Sequence, residues 1–184
     1  MPFIIVTFLL FSSWTNHGTG IDINEVRSTF HQSVMDSKAI TDYYHLAMTI
    51  DTVNNPTALA YRAAGYVMKA KNHWNPLTRI KLVMKYRETI NEAVRAAPKN
   101  VEVRFLRFSI AYYLPNIFGL KQDMEIDKTR IFENISATQS LGLGTDYNKY
   151  ILWFVTHSAY FTDEELSLIQ YHLSPQLSQG SNFQ

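Results

Sequence analysis

The sequence contains no cysteine. Disulfide bonds, thiolate metal sites, a cysteine-linked lipid anchor and catalysis by a thiol are therefore excluded. The absence of cysteine does not indicate the redox compartment, because a chain without cysteine can fold in an oxidising or a reducing environment. Glycine and proline are also scarce, at 7 and 6 of the 184 residues, and no segment shows a strand pattern. This composition argues against a turn-rich all-β fold.

The local signatures of common catalytic and metal sites are missing too. There is no H-E-x-x-H pair for zinc and no G-x-S-x-G nucleophile turn. The histidines are scattered, and His45 with Asp42 is interpreted as a surface pair on one helix face. Gly142-x-Gly144 follows a helix instead of a strand, which is typical of a helix C-cap and not of a phosphate loop. We therefore predict no catalytic residue, no metal site and no cofactor.

The charge is unevenly distributed along the chain. Residues 1–61 hold two basic and five acidic residues, residues 62–107 hold eleven and three, and residues 108–184 hold four and eight. A basic middle between acidic ends could face an anionic partner. The favoured interpretation is that the segments neutralise each other by packing.

The first 20 residues, MPFIIVTFLLFSSWTNHGTG, have the outline of a secretory signal peptide. The apolar run from Phe3 to Phe11 is shorter than the roughly 20 residues that span a bilayer. No Lys or Arg precedes it and no A-x-A cleavage site follows it, but Gly18-x-Gly20 is a permissive alternative that leaves Ile21 first. We expect an exported, periplasmic protein without a transmembrane span in its mature chain. The alternative is a buried N-terminal strand or helix in a cytoplasmic protein.

Start and stop signals divide the rest of the chain into about seven helices. Asn75 followed by Pro76 starts one of them, and Thr57 is expected to cap the helix before it. Thr162 with Glu165 forms a capping box for the last helix.

We predict an all-α fold of helices in antiparallel hairpins. Residues 21–174 form a single domain, large enough to bury a core. The last helix is expected to end before Pro175, which leaves residues 175–184 as a flexible polar tail.

The predicted central helix lies between Asn100, a helix cap, and Pro115, which ends the helix. The sequence VEVRFLRFSIAYYL is apolar nearly all the way round, as expected of a buried central helix. Its two arginines, Arg104 and Arg107, need either water or a partner, because a buried unpaired charge is strongly destabilising.

Acidic residues that follow Pro115 are the nearest possible partners of these arginines. We predict that Arg107 pairs with Asp127, and that Arg104 pairs with Glu125 or with a backbone carbonyl at a helix end. The role expected for this buried pair is structural, because it would tie the chain after Pro115 to the core.

The helix that starts at Pro76 carries one apolar arc opposite a charged face. The arc comprises Leu77, Ile80, Val83, Met84, Ile90, Val94 and Ala97. Trp74 lies in the loop just before this helix, where core packing is less expected. A tryptophan beside basic side chains is typical of a binding surface, so Trp74, Lys71 and Arg79 are predicted to bind a peptide, a glycan or an acidic surface.

The stretch ETINEAVRAAPKNVEVRF resembles the junction between two tetratricopeptide-type repeats. Ala93 and Pro98 occupy the family's small-residue and proline positions, with Tyr86 and Ile90 as the larger inward residues. The resemblance covers Pro76 to Pro115 only, and the repeat period of about 34 residues is not sustained. It implies an irregular helical repeat fold. The stretch also resembles small exported bacterial helical proteins that have no assigned function.

Three functions are compatible with these features. The first is a non-catalytic helical scaffold that binds a protein or peptide in the cell envelope. The second is a hydrolase of envelope polymers whose site is assembled from distant residues. The third is an intracellular adaptor, if the N-terminal segment is not a signal. Nucleic acid is not an expected partner of an exported chain, and the sequence does not indicate the oligomeric state.

Overall fold

The computed structural model describes residues 21–136 and 145–179. These residues form eight α-helices and no strand, so the all-α prediction is confirmed. The helices are α1 (Ile23–Met35), α2 (Ile40–Thr49), α3 (Pro56–Asn72), α4 (Pro76–Ala96), α5 (Val101–Tyr113), α6 (Met124–Asn134), α7 (Thr145–His157) and α8 (Asp163–Gln179). None of the helices in these ranges meets the length and hydropathy needed to cross a membrane.

Short polar caps set the starts of several helices. The Asn75 side chain accepts from the backbone N–H groups of Leu77 and Thr78 at 2.9 and 3.3 Å, so α4 starts as predicted. Glu165 Oε2 accepts from the Thr162 N–H at 2.8 Å, and Thr162 Oγ1 accepts from the Glu165 N–H at 3.3 Å. The predicted capping box of α8 is therefore confirmed.

Two predicted helix boundaries are wrong. The cap of α3 is Asn55, whose side chain accepts from the Ala58 N–H at 3.0 Å, and Thr57 instead accepts a side-chain hydrogen bond from Asn100. The last helix does not end before Pro175, because α8 continues to Gln179. The predicted signal peptide, the Gly142 helix stop and residues 180–184 lie outside the described residues.

Helix α5 forms the centre of the fold. Every residue from Val101 to Ala111 is buried, and the helix contacts α3, α4 and α6. Phe105 and Phe108 also meet Phe154 of α7 edge-on, with ring centroids 5.4 and 5.9 Å apart. Such edge-to-face pairs stabilise a core beyond the area that they bury. The prediction of a helix buried on all sides therefore agrees with the packing.

Candidate functional site

Two cavities lie side by side around α3 and α5. The first, of about 480 Å³, is bounded by α1, α3, α5 and α7, and we call it the four-helix pocket. The second, of about 550 Å³, lies between α3, α4 and the residues that follow α5, and we call it the α3–α4 groove. Four residues line both cavities, namely Val67, Lys71, Tyr113 and Leu114.

The apolar arc predicted along α4 is only partly covered. Val83, Ile90 and Val94 are buried, whereas Leu77, Ile80 and Met84 are 70%, 45% and 42% exposed. We call these three exposed residues the α4 stripe. They recur at spacings of three and four, so they share one side of the helix. Ile80 also lines the α3–α4 groove.

The opposite wall of the groove is apolar as well. It includes Ile117, which is 84% exposed in the connection between α5 and α6. Large contiguous apolar patches are uncommon on the surface of monomeric soluble proteins, and they usually mark interaction sites. The α4 stripe and the groove therefore form one candidate docking surface.

Positive charge surrounds this surface. Lys71 and Arg79 are the charged residues in the lining of the groove, and both are exposed. Neither forms an ion pair within the part of the chain that the structure covers. The first half of α4, residues 76–87, carries four basic residues and no carboxylate. An anionic group at this surface would therefore meet uncompensated positive charge.

Trp74 is 87% exposed, and its ring stacks on His73 with centroids 6.3 Å apart. It is not among the residues that line the groove, although it comes two residues before Pro76, which does. The structure thus brings Lys71 and Arg79 to one cavity. It leaves Trp74 outside that lining, in the loop that leads into α4.

The two arginines of α5 converge on one buried carboxylate. Arg107 Nε donates to Asp127 Oδ2 at 2.7 Å and Arg107 Nη2 donates to Asp127 Oδ1 at 2.7 Å. Arg104 Nη1 donates to the same Oδ1 at 2.8 Å, and its Nε donates to the Pro98 carbonyl at 2.9 Å. Burial lowers the pKa of the Arg107 guanidinium, but the hydrogen bonds and charge of Asp127 outweigh it and raise that pKa.

The predicted pairing of Arg107 with Asp127 is therefore present. Glu125 does not pair with Arg104. It accepts a hydrogen bond from the Tyr160 hydroxyl at 2.6 Å instead, at the exposed side of α6. The alternative partner predicted for Arg104, a backbone carbonyl, is the one found, together with Asp127. Because Glu125 and Asp127 are two residues apart on a helix, they point in different directions.

A second buried carboxylate was not anticipated from the sequence. Glu102 is 1% exposed and accepts from Arg27 Nε at 2.7 Å and Arg27 Nη2 at 2.8 Å. The Tyr61 hydroxyl donates to the same carboxylate at 2.8 Å. An acidic residue in an otherwise apolar helix indicates that a buried partner is needed. The sequence does not identify that partner, because Arg27 lies 75 residues earlier.

Neither buried carboxylate reaches the cavities. The linings of the four-helix pocket and the α3–α4 groove contain no Asp, Glu or His, so they lack a pair for general acid–base chemistry. Among the residues that the structure describes, no three His, Asp or Glu side chains are grouped to hold a metal. The chemistry that these cavities offer is the binding of apolar and anionic groups.

The two cavities, the α4 stripe, Lys71 and Arg79 are thus the features from which function is inferred. Comparison of this chain with protein-family models, with curated proteins and with solved structures finds no match.

Proposed function

We propose that this protein is a non-catalytic helical binding protein of the cell envelope. Its partner is a protein segment with an apolar face flanked by carboxylates, and this segment lies along the α4 stripe and the α3–α4 groove. The observation that carries the proposal is the exposure of Leu77, Ile80 and Met84 beside a groove whose charges are all positive.

The spacing of the α4 stripe suits a partner helix. Residues three and four apart on one helix offer anchors to an amphipathic helix in the groove beside it. Fully burying an exposed large apolar side chain contributes about 1.5–3 kcal/mol. Leu77, Ile80 and Met84 are 42–70% exposed, so each contributes a fraction of that value to the binding free energy. The exposed cations mainly favour acidic partners and speed their association. Their contribution to affinity is smaller.

Selection of helical peptides displayed on phage tests this surface and identifies the chemistry of the segment that it binds. The library is selected on the wild-type protein and then compared on the variant Leu77→Ser/Ile80→Ser/Met84→Ser. We expect the enriched peptides to carry apolar residues at helical spacing beside Asp or Glu. We expect them to bind the triple variant about tenfold or more weakly, because its apolar anchors are removed.

A matched control replaces an exposed apolar residue elsewhere. Ile126 of α6 is 53% exposed and lies outside both linings, so Ile126→Ser should leave peptide binding unchanged. Circular dichroism verifies that both variants fold. Peptides that bind all three proteins equally would show that the α4 stripe is not the docking surface.

Export to the envelope is supported by the composition of residues 1–20. Intact-mass measurement of the protein from its native cell should find a chain that begins near Ile21. A cytoplasmic chain that still begins at Met1 would contradict export. It would favour an intracellular adaptor with the same docking surface.

A further inference from the structure

The four-helix pocket is a second site with a different character. Side chains from four helices line its volume of about 480 Å³, which lies within the range of roughly 300–1,000 Å³ typical of small-molecule sites. Its walls are almost entirely apolar, with Phe30, Val34, Met68 and Ile110 among the residues that form them. A cavity of this kind favours a hydrocarbon group over water.

The few polar groups of the pocket include one cation and several hydroxyls. Lys71 is exposed and carries the only charge in the lining. Tyr113 and Tyr150 contribute hydroxyls, whereas the Ser109 hydroxyl donates to the Leu106 carbonyl at 3.4 Å. Burial raises the pKa of Tyr150 to about 12, so its hydroxyl is neutral at physiological pH. A lysine with neutral hydroxyl donors and no carboxylate selects a ligand with one anionic head group.

We infer that the four-helix pocket binds an amphipathic carboxylate with a single long hydrocarbon chain. The chain fills the cavity between α1, α3, α5 and α7, and the carboxylate pairs with the Lys71 ammonium. One lysine matches one negative charge. A cavity in the lower half of the small-molecule range suits one chain.

The four-helix pocket and the α3–α4 groove share Lys71, so residues that line only one of them are needed to separate this inference from peptide docking. Val34 lines the four-helix pocket and not the groove, whereas Ile80 lines the groove and not the pocket. Variants at these two positions therefore separate the two proposals.

Three amphiphiles with the same chain test the head-group selectivity. Trp153 lines the pocket, so in a Trp14→Phe/Trp74→Phe background its fluorescence reports binding of hexadecanoate, hexadecan-1-ol and hexadecyltrimethylammonium below their critical micelle concentrations. We expect hexadecanoate to bind most tightly, the alcohol about fivefold more weakly and the cation more weakly still. Each methylene added from decanoate to tetradecanoate should tighten binding about fourfold.

Two variants test the location. Val34→Trp fills the cavity and should weaken both hexadecanoate and hexadecan-1-ol by about tenfold or more. Lys71→Gln should weaken hexadecanoate about fivefold and leave the alcohol unchanged. Lys81→Gln removes an exposed lysine that lines neither cavity, so it is the matched control.

Ile80→Ser, which alters the groove, should leave hexadecanoate binding unchanged. The inference is overturned if the three amphiphiles bind equally, if hexadecanoate does not bind, or if Lys71→Gln and Lys81→Gln behave alike. Each of these outcomes can be observed even if the Val34→Trp variant does not fold. None of them decides the result of the phage selection, which tests the α4 stripe.

Discussion

The guanidinium of Arg107 meets the carboxylate of Asp127 through two hydrogen bonds of 2.7 Å, with 7% and 1% of the two side chains exposed. This two-point geometry matches the planar donor fork of arginine to both carboxylate oxygens. Asp127 additionally accepts from Arg104, so one buried anion organises two cations of the central helix.

Breaking this pair should be strongly destabilising. Asp127→Ala is expected to lower the free energy of unfolding by about 3–5 kcal/mol, because it leaves two buried guanidinium groups without this carboxylate. Arg107→Ala should cost less, since Asp127 keeps its hydrogen bond from Arg104. The double variant should cost clearly less than the sum of the single variants. Urea denaturation measures all three.

An exposed pair in α6 provides the control for that cycle. Arg130 and Glu133 are 50% and 49% exposed at a distance of 2.7 Å. Arg130→Ala should change stability by no more than about 1 kcal/mol, since solvent screens such pairs. Additive losses at Arg107 and Asp127 would contradict the coupling.

Two buried tyrosine hydroxyls allow a comparison of hydrogen-bond acceptors. Tyr61 donates to the Glu102 carboxylate at 2.8 Å and Tyr43 donates to the neutral Tyr61 carbonyl at 2.7 Å. Tyr61→Phe should cost about 1.5–3 kcal/mol and Tyr43→Phe about 0.5–1.5 kcal/mol, because a charged acceptor forms the stronger bond. Equal losses in urea denaturation would mean that the charge of Glu102 adds nothing.

Stability should fall at alkaline pH. The hydrogen bond to Glu125 and burial raise the pKa of Tyr160 to about 12, and burial raises that of Tyr150 to about 12. A tyrosine whose pKa is raised in the folded state stabilises the protein fully at pH values below its unfolded pKa of about 10. This stabilisation is lost as the pH rises toward 12. The free energy of unfolding, measured between those pH values, should decline less steeply in Tyr160→Phe.

Ultraviolet absorbance of tyrosinate gives an independent reading of the same titration. Burial also raises the pKa of Tyr43, Tyr61 and Tyr147 well above the ordinary value. Part of the absorbance change should therefore appear only as the protein unfolds. A single transition near pH 10 in the folded protein would refute this prediction.

The exposure of Trp74 can be measured directly. In the variant Trp14→Phe/Trp153→Phe, acrylamide should quench the remaining fluorescence nearly as well as it quenches free tryptophan, because Trp74 is 87% exposed. The variant that keeps only Trp153, which is 45% exposed, should be quenched less. If acrylamide does not reach Trp74, that residue belongs to the core, and the prediction that it binds a partner is wrong.

Features governed by neighbouring residues were predictable from the sequence. The caps at Asn75 and Asn100 follow from side chains that bond the first N–H groups of their own helix. The burial of α5 follows from its composition. The partner of Arg107 lay within 20 residues, so the acidic residues of the next segment were sufficient to predict it.

Features that depend on packing between distant segments were not predictable. Arg27 and Glu102 are 75 residues apart, and the sequence around each residue does not indicate that the other is its partner. The apolar arc of α4 is continuous in the sequence, but only the fold decides that Val83 is covered and Leu77 is not. The candidate docking surface therefore became visible only once the neighbouring helices were placed.

The order of residues around α5 has a consequence for folding during synthesis. Arg27 leaves the ribosome before Glu102, whereas Asp127 emerges 23 residues after Arg104. Domains form as their segments appear, at about 5–20 residues per second. Until Asp127 emerges, the two guanidinium groups of α5 are better solvated than buried. We therefore expect the nascent chain to keep its central helix out of the core until α6 is made, and during this interval the apolar side chains of α5 are open to chaperones and to aggregation.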